Sequence, residues 1–313
     1  MRLVFMGTPR FAVPTLQKLI ESSHKVTSVF TQSDKCSGRG EKMVMSPVKK
    51  LSLEAGIPVY QPDKLNSEEW EAFFQSLQAD AYSVVAYGKI LPAWLLGIPP
   101  KGAVNLHASL LPKYRGAAPI NWAIANGEVI TGITTMMIDR GLDTGDILLQ
   151  EPVAIGPEET ALDLHDRLAV LGADLMFRTL DALESRTLNP VPQRNELASY
   201  APILKKSDGL IDWTQPSSKI NDKVRGLNPW PGTYTFLNGN LFRIWKSRPV
   251  EINSSTQSPG VLVRDPGLGG VVFCHPGQLQ LLEVQQEGRK RIAATDFLNG
   301  MRFREGQTLL LGK

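Results

Sequence analysis

Asn105-Leu106-His107 ends a short apolar run, Ala103–His107, that reads as a β-strand. In a strand, residues i and i+2 point to one face, so Asn105 and His107 project together while Leu106 turns to the opposite packing layer. Attack on a carbonyl needs a donor for the oxyanion that develops and a group to handle protons, and an amide beside an imidazole supplies both. The loop that follows, ASLLPKYRGAAP at 108–119, carries two prolines and a glycine. Such a rigid loop can offer backbone groups to a flat heterocycle. A second loop, Asp139-Arg140-Gly141-Leu142-Asp143-Thr144-Gly145-Asp146, again follows an apolar strand. Its three carboxylates could hold a metal, but no clustered Asp, Glu or His elsewhere completes a ligand set. One aspartate orienting or charging His107 is the simpler use, and spacing does not select which.

Nucleotide signatures are missing. Gly7-Thr8-Pro9-Arg10-Phe11 lacks the second and third glycines that let a pyrophosphate approach the backbone, and no GxxxxGK[ST] is present.

The elements that must position the triplet come from an alternating pattern. Strands are expected at Leu3–Met6, Lys25–Phe30, Tyr82–Ala86, Ala103–His107, Ile133–Ile138 and Ile147–Val153. Between them, Thr8-Pro9 and Ser46-Pro47 each place a cap before a helix-starting proline, and Gly56 closes the second helix. Glu68–Leu77 and a long amphipathic stretch from Thr160 to about Ser185 read as further helices. This order argues for an α/β domain with a mostly parallel sheet covered on both faces. The texture changes near Thr187. Residues 187–208 show no sustained period and read as a linker. Beyond it come a helix at Ser218–Arg225 and several short strands, two of them joined by Asn238-Gly239, a hairpin signal because both positions take positive φ. A small OB-like barrel fits, with Asn228-Pro229-Trp230-Pro231-Gly232 as a rigid corner holding a packed indole.

The 34 Lys and Arg against 31 Asp and Glu leave a net charge of only +3, which conceals an asymmetry. Residues 205–313 carry +6 and the first 204 carry −3, so the rear part is the one suited to face a polyanion. No apolar run reaches the 18 residues or so needed to span a bilayer, and the first residues read as a strand and not as a signal peptide. Two cysteines, Cys36 and Cys274, make neither a disulfide framework nor a zinc site, as expected of a cytoplasmic protein.

NLHASLLPKYRGAAPI followed by IDRGLDTGDIL closely resembles the catalytic core of the 10-formyltetrahydrofolate-dependent formyltransferases. FMGTPRFAVPTL, TQSDKCSGRGEKMVMSPVKKLS, VVAYGKILP, IDW and LNPWPGT resemble the branch that acts on methionine carried by initiator tRNA. The resemblance covers essentially the whole chain. It implies a Rossmann-like formyltransferase domain over 1–186, a linker over 187–208 and an OB-like, tRNA-binding domain over 209–313. It implies catalytic roles for Asn105, His107 and Asp143, folate contacts from Ser109, Leu110, Leu111 and Pro112, and tRNA contacts from Arg39 and Lys42 in a loop beside Lys49 and Lys50. Phe11 is expected to meet the methionine side chain of the charged tRNA. The implied co-substrate is 10-formyltetrahydrofolate, with no metal, and the expected state is a monomer without membrane contact.

Overall fold

The apolar runs expected to be strands are strands in the computed structural model, which describes residues 1–37, 42–65, 67–250 and 257–312. The chain divides into two units. The first comprises Met1–Pro119, Ile130–Ala154 and His165–Ala201, the second Ile120–Val129, Ile155–Leu164 and Pro202–Lys313.

In the first unit β1 (Arg2–Gly7) and β2 (Lys25–Phe30) pair in parallel. A short antiparallel ribbon, β3 (Lys35–Ser37) with β4 (Lys42–Val44), precedes β5 (Val59–Tyr60), which joins the far side of β2. The chain then crosses to the other side of β1, where β6 (Ala81–Val85) and β7 (Ala103–His107) add in parallel. After the two-residue β8 (Arg115–Gly116), β9 (Ile130–Met137) pairs antiparallel with β7, and β10 (Ile147–Ala154) with β9. The order β10-β9-β7-β6-β1-β2-β5 reverses direction between β1 and β6, and ligands of open α/β sheets bind outside the carboxyl ends of strands at such a reversal.

The helices obey their local signals with one exception. Ser46 Oγ accepts the Lys49 N–H at 3.1 Å at the start of the helix Pro47–Glu54, a cap that contributes about 1 kcal/mol, and Gly56 leaves that helix at φ +67°. Thr8 does not cap. Its Oγ1 donates to the Tyr87 carbonyl at 3.0 Å, and a single 3-10 turn, Arg10–Ala12, leads into α1 (Val13–Ile20). A short hydroxyl can serve either use, and here the tertiary acceptor just past β6 wins it over the local N–H. α2 (Pro47–Glu54), α3 (Glu68–Ser76), α4 (Ala93–Leu96) and α5 (Pro119–Ala125) follow. The longest helix, α6 (Ala161–Glu184), buries Leu164, Leu168, Leu175 and Leu180 but leaves Leu162 exposed in its first turn.

Residues 187–201 lie within the first unit and hold regular contacts there. Val191 exchanges two backbone hydrogen bonds of 2.9 Å with Ile147, and β11 (Tyr200–Ala201) pairs in parallel with β8.

The second unit contains α7 (Ser217–Gly226) and an antiparallel sheet of β12 (Thr233–Leu237), β13 (Asn240–Val250), β14 (Val261–Asp265), β15 (Gly269–Phe273), β16 (Gln278–Gln286), β17 (Ile292–Ala293) and, after α8 (Ala294–Gly300), β18 (Thr308–Leu310). Asn238 (φ +51°) and Gly239 (φ +78°) make the hairpin turn between β12 and β13. A bridge from Leu237 to Leu311 returns the end of the chain to the first strand, closing the OB-like barrel around Phe242, Leu262, Leu279 and Phe297. Trp213, buried, donates its indole N–H to Thr235 at 3.2 Å. Trp230 differs from expectation: the residue is 51% exposed, and it is Trp245 that lies where a Cβ on Gly232 would reach, 3.1 Å away. Among the described residues no helix is long and apolar enough to cross a membrane.

Candidate active site

β7 presents its two faces as the alternation requires. Leu106 points onto α6, so close to Gly172 that a Cβ there would lie 2.5 Å from its Cδ2. Asn105 and His107 therefore share the other face, at the carboxyl edge of the sheet. Asn105 is half-buried, and none of the described residues hydrogen-bonds its side-chain amide, which leaves two donors at hand. His107 is buried. Its Nε2 lies 2.9 Å from the Tyr114 carbonyl oxygen, and its Nδ1 lies 3.6 Å from Asp143 Oδ2. Both ring nitrogens thus face acceptors, which an imidazole satisfies together only when it carries two protons. The 3.6 Å separation exceeds a hydrogen bond, and such contacts commonly tighten only when substrate is bound.

Of the three aspartates in the second loop, Asp143 is the one that reaches His107. Its backbone takes φ +53°, and its Oδ2 accepts the Gly116 N–H at 2.8 Å. Asp139 instead holds the turn, accepting from the Gly141 N–H at 2.9 Å and the Thr144 hydroxyl at 2.7 Å. Gly145 is required by close approach, since a Cβ would sit 1.8 Å from the Met137 carbonyl oxygen. Among the described residues the one cluster with ligand-like spacing is His24, Asp181 and Glu184, none of them in this loop.

The segment Ser109–Pro112 is pinned from within. Ser109 Oγ donates to the Lys113 carbonyl at 2.6 Å, and the Ser109 carbonyl accepts from Thr134 at 2.6 Å. The Leu111 N–H reaches Thr134 Oγ1 at 3.2 Å, and Leu110 lies over Gly132, where a Cβ would be 2.5 Å away. Leu111 and Ser109 are buried, so the groups this segment can turn toward a ligand are mainly backbone.

Arg39 lies outside the described residues, and Lys42 opens β4. The base of their loop is tied by Thr31 Oγ1 to Ser46 Oγ, 2.8 Å, and by Lys49 Nζ to Asp34 Oδ2, 2.6 Å. Hydrogen bonds from Lys49 and Gln61 hold the Asp34 carboxyl below its usual range. Lys49 is therefore spent within the protein, whereas Lys50 is 75% exposed. Phe11 is buried, its ring centroid 5.2 Å from that of His165 in an edge-to-face arrangement. On the second unit Arg243 and Arg291 flank the Trp245 ring at 5.8 and 5.3 Å.

Two groups around Asp143 escape a reading by pattern. Arg115 is 2% exposed, and its guanidinium meets Gln193 and Asn195. Gln193 Nε2 in turn donates to the carbonyls of Asp143 (2.9 Å) and Gly145 (2.8 Å). Only the RG beside the prolines hinted at the first, and nothing local in 187–208 marks the second.

The chain is similar to known proteins along nearly its whole length. Residues 1–180 match the formyl transferase family model and residues 203–302 its C-terminal domain model. Proteins named methionyl-tRNA formyltransferase from Solibacter usitatus and Geobacter metallireducens are 51% and 50% identical to this chain, covering 99% and 97% of it and 98% and 97% of their own lengths. The fold is shared with an N-formyltransferase from Helicobacter canadensis, solved with folinic acid and dTDP-3-aminofucose, at TM-score 0.68 and 20% identity over 91% of this chain and 98% of that one. With both models matched in order and relatives aligned nearly end to end, the chain belongs to the formyl transferase family.

Proposed function

We propose that this protein transfers the formyl group of 10-formyltetrahydrofolate to the α-amino group of methionine esterified to initiator tRNA. The observation that carries the reading is a trio at the carboxyl edge of the sheet in a chain that aligns nearly end to end with named methionyl-tRNA formyltransferases. The neutral amine attacks the formyl carbon, and negative charge develops on the former formyl oxygen. Asn105, whose amide hydrogen-bonds to none of the described residues, and the doubly protonated His107 stabilise that charge. Asp143 holds the imidazolium. As the carbon–N10 bond breaks, the proton lost by the amine passes to N10, giving tetrahydrofolate and the N-formylated methionyl ester.

Backbone groups of Ser109, Leu110, Leu111 and Pro112 border the folate, and the packed ring of Phe11 offers an edge to the methionine side chain. Arg39 and Lys42 meet the acceptor stem, and the basic stretch 205–313 holds the tRNA body. The protein acts as a monomer in the cytoplasm, where its two substrates meet; light scattering checks the monomer.

Labelled 10-formyltetrahydrofolate offered with charged initiator tRNA, charged elongator tRNA or an amino sugar nucleotide tests the reading. Label is expected on the initiator alone, and label only on the sugar nucleotide overturns it. Arg39→Ala is expected to raise the KM for charged tRNA about tenfold, with a shallower salt dependence and folate KM unchanged; an unchanged tRNA KM removes Arg39 from the interface.

A further inference from the structure

Residues 181–202 fall between the two ranges matched by the family models, yet this stretch helps build the site. The Gln193 amide is polarised by its neighbours. Arg115 Nε and Nη2 lie 3.1 and 2.8 Å from its oxygen, and a guanidinium can only donate, so the oxygen end must face Arg115. The NH2 end then gives one hydrogen to the Asp143 carbonyl and one to that of Gly145, bracketing the turn between them. That turn holds Asp143 at φ +53°, a left-handed conformation unfavourable for a residue with a Cβ. Asn195 takes a further Arg115 hydrogen at 2.9 Å, and the pairing of β11 with β8 fixes the backbone on either side.

We propose that Gln193 is a positioning residue for Asp143. Oriented by Arg115, its amide holds the turn that sets the distance between the Asp143 carboxylate and the His107 ring, and so sets the rate of formyl transfer. The proposal rests on the reading of Asp143 given above.

Gln193→Glu keeps an acceptor for Arg115 but removes both donors and sets a carboxylate against two carbonyls. Gln193→Met removes acceptor and donors at similar size. Both are expected to lower kcat about 10- to 100-fold, the scale of an ångström of misplacement, with KM for folate and tRNA within about twofold. The pH profile of kcat is expected to shift, because the His107–Asp143 pair that sets it has moved apart. A purely structural Gln193 would lower the melting temperature and the folded fraction, with kcat per folded molecule and its pH profile unchanged. That result in either variant overturns the proposal. Asp143→Asn is assayed alongside: if it retains full turnover, the reading of the site fails, whereas if it is inactive and both Gln193 variants are wild-type in rate and profile, only the role of Gln193 fails.

Discussion

His107 and His24 are both buried histidines beside carboxylates in the same unit, and their surroundings prepare them for opposite tasks. His24 precedes β2 at the amino edge of the parallel strands, with Asp181 and Glu184 reaching it from the last turns of α6. Its Nδ1 lies 3.2 Å from the Met1 ammonium, a donor, and its Nε2 lies 3.2 Å from Asp181 Oδ1 without an aligned hydrogen bond. Lone pair toward a cation and N–H toward a carboxylate suit a neutral ring. Burial, with the ammonium charge, accordingly lowers its pKa below the usual 6.5, against the pull of Asp181 and Glu184. His107 faces acceptors on both sides, stands at the carboxyl edge, and has on its own face the amide of Asn105, which hydrogen-bonds to none of the described residues. A histidine with carboxylates is thus not a site by composition; the polarity of its two nitrogens and the edge it occupies separate the two.

The largest expected effect sharpens that contrast. Asp143→Asn preserves shape but removes the charge facing His107, and should lower kcat about a thousandfold with folate affinity nearly unchanged. Asp181→Asn, the matching change beside His24, should leave kcat within about twofold. Similar losses in steady-state rates of the two variants would erase the distinction. Asn105→Ala comes next, at about a hundredfold in kcat, the scale of one lost oxyanion donor. It should not affect melting, since that amide hydrogen-bonds to none of the described residues. A drop in melting temperature with kcat retained would make Asn105 a structural residue.

The strand-end trio was legible because its signals are local. The pattern AVNLH specifies which residues share a face, and Gly172 under Leu106 fits the alternation. Asp143 was legible only through family likeness, since three aspartates within eight residues are equivalent by spacing and only the turn at φ +53° aims one of them. Gln193 was not legible at all. Its contacts span 50 residues to Asp143 and 78 to Arg115, and a Pro-rich stretch without periodicity hides a partner whose whole role is in tertiary hydrogen bonds. Thr8 and Trp230 fail for the same reason in reverse. A cap motif and a proline-flanked indole predict local uses, and a distant carbonyl took the one while solvent kept the other.

The smallest expected effect belongs to His24 and concerns stability rather than rate. Because its folded pKa is depressed, the unfolded chain binds more protons than the native one as pH falls below the ordinary value of 6.5. The contribution of His24 to stability is therefore fully present above about 6.5 and declines on acidification, and it stops changing below the folded pKa. His24→Gln cannot gain that proton but can still accept from the Met1 ammonium. Its melting temperature should lose part of the decline between neutral and mildly acidic pH, while kcat at neutral pH stays at the wild-type level. Asp34, whose carboxyl is depressed by Lys49 and Gln61, acts only at lower pH, since its stabilisation is complete above the ordinary 3.8 and is lost as the carboxylate protonates. The decline due to His24 thus begins at a higher pH than that due to Asp34. If the His24→Gln melting curve kept the full wild-type decline near pH 6, the neutral, buried ring would not be the group that titrates there. The difference drawn between the two histidines would then rest on His107 alone.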